Sequence, residues 1–94
     1  MYTRQTKIIN ASGLHARPAT EFVEAAKKYG STLTIQNLSA EGALPVNAKS
    51  ILRVLSAGLC AGCAVELSGE GEDEIRAVDA LMGLIDSGFG EPLA

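Results

Sequence analysis

The chain has 94 residues, of which 47% are hydrophobic and 20% charged, with a formal net charge of −3. This length suits a single domain over residues 1–94, and a domain of this size buries only about 60% of its extended surface, which excludes a deep substrate cavity. The acidic balance excludes a phosphate-coating nucleic-acid binder, and without an apolar run of ~20 residues or a signal segment we expect a cytoplasmic protein with no membrane insertion.

The first strand and the first helix are predicted from residues 3–9 and 16–29. Residues 3–9 are β-prone, and the turn-forming residues 10–13 follow them. Residues 16–29 form an amphipathic helix, because apolar side chains recur three and four residues apart. The predicted buried stripe of this helix is Ala19, Phe22, Val23, Ala26 and Tyr29.

The middle of the chain predicts two strands and a short helix. Apolar and polar residues alternate in residues 32–36, which is the period of a strand with one buried face. Residues 44–46 form a short strand, and the proline within them indicates an edge position in the sheet. Asn47 is the predicted cap of a short helix that ends near Gly58.

The last third of the chain predicts a strand followed by a longer helix. Residues 63–68 alternate as a half-buried strand does, and the last helix begins near Asp73 and ends before Gly88. The predicted buried stripe of that helix is Ile75, Val78, Leu81, Met82 and Ile85. Residues 90–92 are predicted to fray.

The predicted order of elements is therefore βαββαβα. No repeat or linker divides the chain, and βα crossovers are expected to be right-handed. These features predict an α/β (α+β) fold, a two-layer open-faced sandwich. In it, three helices cover one face of a four-stranded antiparallel sheet.

The single histidine, His15, follows a glycine turn and directly precedes the first predicted helix. Free backbone N–H groups of Ala16 and Arg17 lie there at the positive end of the helix dipole, where an anion attached to the imidazole would be held. The Arg17 guanidinium adds two donors for phosphate oxygens. The same positive environment favours the neutral imidazole, whose lone pair can attack phosphorus. A cap or a plain surface histidine is the alternative.

The residues around His15 form a continuous string, Gly13-Leu14-His15-Ala16-Arg17-Pro18-Ala19. This string closely resembles the active-site motif of the HPr family, the histidine-containing phosphocarriers of the bacterial phosphoenolpyruvate:sugar phosphotransferase system. The resemblance continues through residues 47–52, which look like the segment around the family's regulatory serine, and through residues 70–74. Residues 37–45 depart from the pattern, because this loop is a few residues longer than usual.

The resemblance implies a phosphoryl carrier that other enzymes modify, rather than an enzyme. His15 would accept a phosphoryl group on Nδ1 from phosphorylated Enzyme I and pass it to the A domain of a sugar permease. Arg17 and the backbone N–H groups of Ala16 and Arg17 would steady the phosphate. No cofactor and no metal is implied, and a monomer suits such a shuttle. A regulatory paralogue of the nitrogen-related branch, acting as a phosphorylation-dependent binding module through His15, is the alternative.

The resemblance also implies a docking face made by the start of the first helix and by the short helix. The residues of this face are Ala16, Thr20, Ile51, Leu52, Leu55 and Ser56. Four basic residues are predicted to surround it and to attract acidic partners, namely Arg17, Lys27, Lys49 and Arg53. Ordinary core packing is the alternative for the apolar members.

Ser50 resembles the family's regulatory serine and is predicted near the third position of the short helix. A phosphate there would place about two negative charges beside the docking face and would weaken docking. HPr kinase/phosphorylase is therefore a candidate partner. A first-turn serine that bonds only to the backbone is the alternative.

Cys60 and Cys63 form a C-x-x-C motif between a predicted helix end and a predicted strand. Thioredoxin-type motifs place the first cysteine at a helix start, and a zinc site would need two further ligands. We therefore expect two reduced thiols. A thiol redox protein remains a third functional class, which Cys60→Ser would inactivate and His15→Ala would not.

Overall fold

A computed structural model describes residues 1–93 as one antiparallel sheet with helices on one face. Its elements are β1 (Tyr2–Lys7), α1 (Ala16–Lys27), β2 (Thr32–Asn37), β3 (Val46–Asn47), α2 (Ile51–Ser56), β4 (Ala64–Glu70), α3 (Glu74–Asp86) and a 3₁₀ turn (Gly88–Gly90). The strands lie in the order β1-β4-β2-β3, and every neighbouring pair is antiparallel. The predicted open-faced sandwich is confirmed, with β3 at the edge that the proline before it indicated.

The core fills the space between the sheet and the helices. The inward-facing residues of β2 and β4 are fully buried, as their alternation predicts, and these are Leu33, Ile35, Val65 and Leu67. The buried side chains of α1 are Pro18, Ala19, Phe22, Val23 and Ala26. Those of α3 are Ala77, Val78, Leu81, Met82 and Ile85. The prediction was wrong for Ile75, which is 57% exposed because it lies roughly 90° around the helix from the centre of that stripe.

The start of α2 differs from the prediction in the residue that caps it. Asn47 Oδ1 accepts a hydrogen bond from the backbone N–H of Lys49 at 2.9 Å, which makes a local turn before the helix. Ser50 is the N-cap, and its Oγ accepts the N–H of Arg53 at 3.3 Å. Ser50 therefore precedes α2 instead of occupying its third position.

The C-terminal tail, residues 88–93, packs against the domain, so the prediction that residues 90–92 fray was wrong. Phe89 takes a positive φ of 55° between two glycines and is only 4% exposed. The Ala11 N–H donates to the Pro92 carbonyl at 3.0 Å, and Asn10 and Leu93 form an isolated antiparallel bridge. Burial of the aromatic ring, which typically contributes about 2 kcal/mol, offsets part of the entropy lost in ordering the tail, which is about 1–2 kcal/mol for each residue.

Helix length and side-chain clustering in residues 1–93 bear on membrane insertion and on metal binding. The longest helix, α3, has 13 residues, whereas a bilayer span needs about 20. Within this part of the chain, no helix is both long and apolar enough to cross a membrane. Over the same residues, no three side chains of His, Cys, Asp or Glu cluster in a way that would hold a metal ion.

Candidate functional site

His15 is the N-cap residue of α1. Its backbone is extended, with φ −132° and ψ 161°, and its exposed side chain makes no capping hydrogen bond. Ala16 and Arg17 belong to the first turn, where backbone N–H groups have no partner within the helix. The structure thus places an unengaged imidazole beside two N–H groups at the positive end of a helix dipole.

Ala16 takes an unusual backbone conformation beside this imidazole. Its φ is 53°, in the left-handed region, which costs an alanine roughly 1–2 kcal/mol. Non-glycine residues held in that region occur preferentially at functional sites, where the surrounding structure maintains the strain. No sequence signal indicates this conformation, because alanine has no preference for it.

The loop before His15 rests on residues 58–63, which connect α2 to β4 and which we call the support loop. Gly13 has φ 64°, and a Cβ atom there would lie 2.6 Å from the Leu59 carbonyl oxygen and 2.8 Å from Cys60 Cα. The buried Leu14 donates its N–H to the same Leu59 oxygen at 2.8 Å. Only glycine fits this close backbone approach, which determines where His15 is presented.

The Arg17 guanidinium is held by its own helix and by the C-terminal tail. Its Nη1 donates to Glu21 Oε1, one turn along α1. Its Nη2 donates to the Phe89 carbonyl at 3.0 Å and lies 3.5 Å from Glu91 Oε2. Two carboxylates therefore lie close to the single Arg17 charge.

Glu91 connects the C-terminal tail to the loop before His15. Asn10 Nδ2 donates both to Glu91 Oε1 at 3.0 Å and to the Gly13 carbonyl at 2.9 Å. The hydrogen bond from Asn10 holds the pKa of the Glu91 carboxyl below its ordinary value, aided by a hydrogen bond from Ser12 and by the Arg17 charge. The lowered pKa favours the ionised carboxylate beside the Arg17 guanidinium.

Sequence reasoning missed Asn10, Phe89 and Glu91 as parts of this site. Their contacts span more than 70 residues along the chain, so local patterns do not reveal them. One signal was available, because Phe89 is a large apolar residue between two glycines, directly before the residues 90–92 that were predicted to fray. Phenylalanine is usually buried, so its presence in this turn indicates a segment that packs against the domain.

An apolar patch lies on α1 and α2, next to the helix start that carries His15. The exposed fractions of Ile51, Leu52 and Leu55 are 38%, 76% and 39%, whereas Val54 on the opposite side of α2 is fully buried. A groove of about 180 Å³ runs between the two helices and is lined by Thr20, Val23, Glu24, Lys27 and Ile51. We call this region the α1–α2 surface.

The basic residues near the α1–α2 surface differ in their freedom. Arg53 and Lys27 are exposed, and the Lys27 ammonium lies 3.9 Å from the Glu24 carboxylate. Lys49 is half-buried, and its Nζ donates to the Tyr29 carbonyl at 2.7 Å. Lys49 is therefore a fixed positive charge, while Lys27 and Arg53 extend into solvent.

The two hydroxyl groups predicted for the docking face are both exposed and both bonded to their own helix. Thr20 Oγ1 donates to the Ala16 carbonyl at 3.4 Å, and Ser56 Oγ donates to the Arg53 carbonyl at 3.0 Å. These bonds orient the hydroxyl groups without burying them. Ala16, Leu52 and Leu55 are exposed as well, and the groove joins Thr20 of α1 to Ile51 of α2.

Comparison with known proteins agrees with this arrangement. The profile of the PTS-HPr family, described as the PTS HPr component phosphorylation site, matches residues 2–87. The chain belongs to the HPr family. The resemblance in the His15 string is thereby confirmed, and HPr proteins are phosphocarriers of the phosphotransferase system rather than catalytic enzymes.

Individual HPr relatives match over most of the chain. The phosphocarrier protein HPr of Haemophilus influenzae is 38% identical over 85 residues, which is 90% of this chain and 95% of that protein. A crystal structure of HPr-C-His from Thermoanaerobacter tengcongensis has a TM-score of 0.90 at 44% identity, covering 99% of this chain and 100% of that one. The multiphosphoryl transfer protein of Vibrio cholerae is 38% identical over 90 residues, which is 96% of this chain but 22% of that protein.

Proposed function

We propose that His15 is the residue that carries the phosphoryl group, through its Nδ1 atom. The observation that carries this proposal is an exposed imidazole, without a capping bond, at the N-terminus of a twelve-residue helix. The N–H groups of Ala16 and Arg17 and the helix dipole stabilise negative charge there. Transfer between two proteins then needs little more than in-line positioning, which an open site permits.

Arg17 stabilises the phosphoryl group by exchanging its carboxylate partners for phosphate oxygens. A phosphoryl group on His15 brings about two negative charges to a helix start that already holds this guanidinium. It competes with Glu21 and with Glu91, whose Oε2 is 3.5 Å from Arg17 Nη2. Because both carboxylates remain close by, Arg17 can return to them when the phosphoryl group leaves.

The direction of transfer is from phosphorylated Enzyme I to His15 and then to the A domain of a sugar permease. The matching segment in a multiphosphoryl transfer protein supports a role in a phosphoryl relay. An open site suits alternation between donor and acceptor, and we expect a monomer that works in the cytoplasm. In this role the chain is a carrier that partner enzymes modify. We expect residues 1–94 to form the single domain that does this.

The α1–α2 surface is the proposed docking site for these partners. Its apolar residues are exposed beside His15, which is the arrangement of a small transient interface. The proposed contact residues are Ala16, Thr20, Lys27, Lys49, Ile51, Leu52, Arg53, Leu55 and Ser56. Lys27 and Arg53 give this side of an acidic chain a local positive charge for acidic partners.

Ser50 is the proposed regulatory site for HPr kinase/phosphorylase. As the N-cap of α2 it is half-buried, and it lies directly before Ile51 of the α1–α2 surface. A phosphate on its Oγ would replace the cap to Arg53 and add negative charge beside the docking residues. Partner binding would weaken without any change at His15.

Intact mass after incubation with phosphoenolpyruvate, magnesium and Enzyme I tests this function. We expect one acid-labile phosphoryl group on the wild type and none on His15→Ala, with slower loading of Arg17→Ala. Addition of a sugar-permease A domain then removes the group. No loading by a demonstrably active, matched Enzyme I would contradict the carrier assignment, and loading without discharge to any sugar-permease A domain would favour the regulatory paralogue.

A further inference from the structure

A second pair of reactive side chains lies in the support loop. Cys60 Sγ and Cys63 Sγ are 3.0 Å apart, and both thiols are free. The Cys63 N–H donates to the Cys60 carbonyl at 3.1 Å, and Gly62 has φ 86° at the third position, as in a type II turn. Such a turn brings its first and fourth Cα atoms within about 7 Å, which is the range that a disulfide bridges.

The two cysteines differ in their access to solvent. Cys60 is exposed, whereas Cys63 is only 6% exposed. The hydrogen bond between the thiols, together with burial, raises the pKa of the Cys63 thiol. Because Cys60 is exposed and Cys63 is buried, Cys60 is the sulfur that an external reagent meets first.

We propose that Cys60 and Cys63 form a reversible dithiol–disulfide site, oxidised by thiol–disulfide exchange with a low-molecular-weight disulfide. The Cys60 thiolate attacks one sulfur of that disulfide, forms a mixed disulfide and releases one thiolate. The Cys63 sulfur then attacks Cys60 Sγ and releases the second thiolate. The two cysteines lose two electrons, and their two protons end on the two released thiols.

The disulfide acts on the backbone that carries the His15 loop. Leu59, next to Cys60, accepts the Leu14 N–H through its carbonyl. On the other side of the support loop, Ile8 donates to the Cys63 carbonyl at 2.9 Å and accepts the Gly62 N–H at 2.7 Å. Closing the four-residue ring removes opening motions of this loop, so the hydrogen bond from Leu14 opens less often.

Intact mass in buffers of increasing oxidised-to-reduced glutathione ratio tests the site. We expect the wild-type mass to fall by two hydrogen atoms in a single step, without an accumulating intermediate. Dithiothreitol should restore the reduced mass fully. Cys63→Ser should stop at a single glutathione adduct on Cys60, and Cys60→Ser should gain far less adduct because Cys63 is buried. A wild type that keeps its reduced mass, accumulates the adduct or forms disulfide-linked dimers would overturn the proposal.

Hydrogen exchange on the unphosphorylated protein tests the link to the His15 loop. We expect the Leu14 amide to exchange at least about threefold more slowly in the oxidised form than in the reduced form. The Ala77 amide, which donates to the Asp73 carbonyl in α3, is the internal control for global stability and should slow less than the Leu14 amide does. Equal Leu14 exchange in the two forms would overturn this link. Because neither readout involves phosphorylation, a failure here is distinct from a failure of the proposed carrier function.

Discussion

Two segments hold the loop before His15, the support loop through its backbone and the C-terminal tail through its backbone together with a charged side chain. The support loop acts through backbone, with the Leu59 carbonyl bonded to the Leu14 N–H and packed against Gly13. The C-terminal tail contributes a backbone hydrogen bond, from the Ala11 N–H to the Pro92 carbonyl, and adds a charged side chain, with Glu91 bonded to Asn10 and near Arg17. Backbone contacts determine the shape of the site, whereas the side-chain contacts add the charges whose proposed role is to exchange partners with a phosphoryl group.

Gly13→Ala tests the backbone support and should have the largest effect. The added Cβ would lie 2.6 Å from the Leu59 carbonyl oxygen, at a φ of 64° that alanine disfavours. We expect the free energy of unfolding in urea to fall by about 3 kcal/mol. The matched control is Gly42→Ala, which has φ 74° with no neighbouring atom within 4 Å and should cost only about 1 kcal/mol. Equal losses would mean that the close approach contributes nothing.

Oxidation of the cysteine pair tests the same support in the opposite direction. A disulfide across Cys60 and Cys63 closes a ring of four residues, for which loop entropy predicts a gain of about 2 kcal/mol in unfolding free energy. Urea unfolding of the oxidised and reduced wild type measures this gain. Cys63→Ser is the control, because it cannot form the disulfide and its unfolding free energy should therefore not rise with the oxidant. A less stable oxidised form would show that the ring strains the support loop.

Ser50→Ala measures a side-chain hydrogen bond that touches neither supporting segment. Loss of the cap to the Arg53 N–H should lower the unfolding free energy by about 1 kcal/mol. Ser56→Ala is the control, since its hydroxyl is exposed and donates to a carbonyl of its own helix. Thermal unfolding of both variants gives the comparison. If both substitutions had equal effects, the cap would not stabilise α2.

Glu91→Gln tests the charge in the tail and should have the smallest effect on stability. The folded-state pKa of Glu91 lies below its ordinary value of 4.5, so its stabilising contribution is present above that pH. It is lost as the pH falls through the lower folded-state pKa. Urea midpoints of wild type and variant should therefore differ at pH 7 and converge in acid. A difference that stays constant with pH would assign the effect to hydrogen-bond geometry instead of charge.

The sequence predicted the parts of this structure that depend on local patterns. Apolar residues alternate in residues 32–36 and recur three and four residues apart in residues 16–29. These spacings predicted the buried positions, because apolar residues recur every second residue in a half-buried strand and about every 3.6 residues in a half-buried helix. The string around His15 identified the family. The confirmed fold follows from these two kinds of signal.

Features that depend on long-range contacts were beyond such patterns. The left-handed Ala16 is maintained by its surroundings and not by its own preference. Asn47 and Ser50 are both residue types that favour helix caps. Because Asn47 belongs to the edge strand β3, Ser50 is the residue that caps α2. The tail was misread because Phe89 is buried only by residues far away in sequence.

The strand order has a consequence for how the chain acquires its structure during synthesis. β1 pairs only with β4, with Tyr2 opposite Gly69 and Lys7 opposite Ala64, and β2 also needs β4 as its second neighbour. Before residue 70 leaves the ribosome, only the two-residue β3 is available to pair with β2. Contacts this distant in sequence make folding slow. The first strand therefore has no partner until residues 64–70 have emerged, and the contact between Leu14 and Leu59 forms only once the support loop is available.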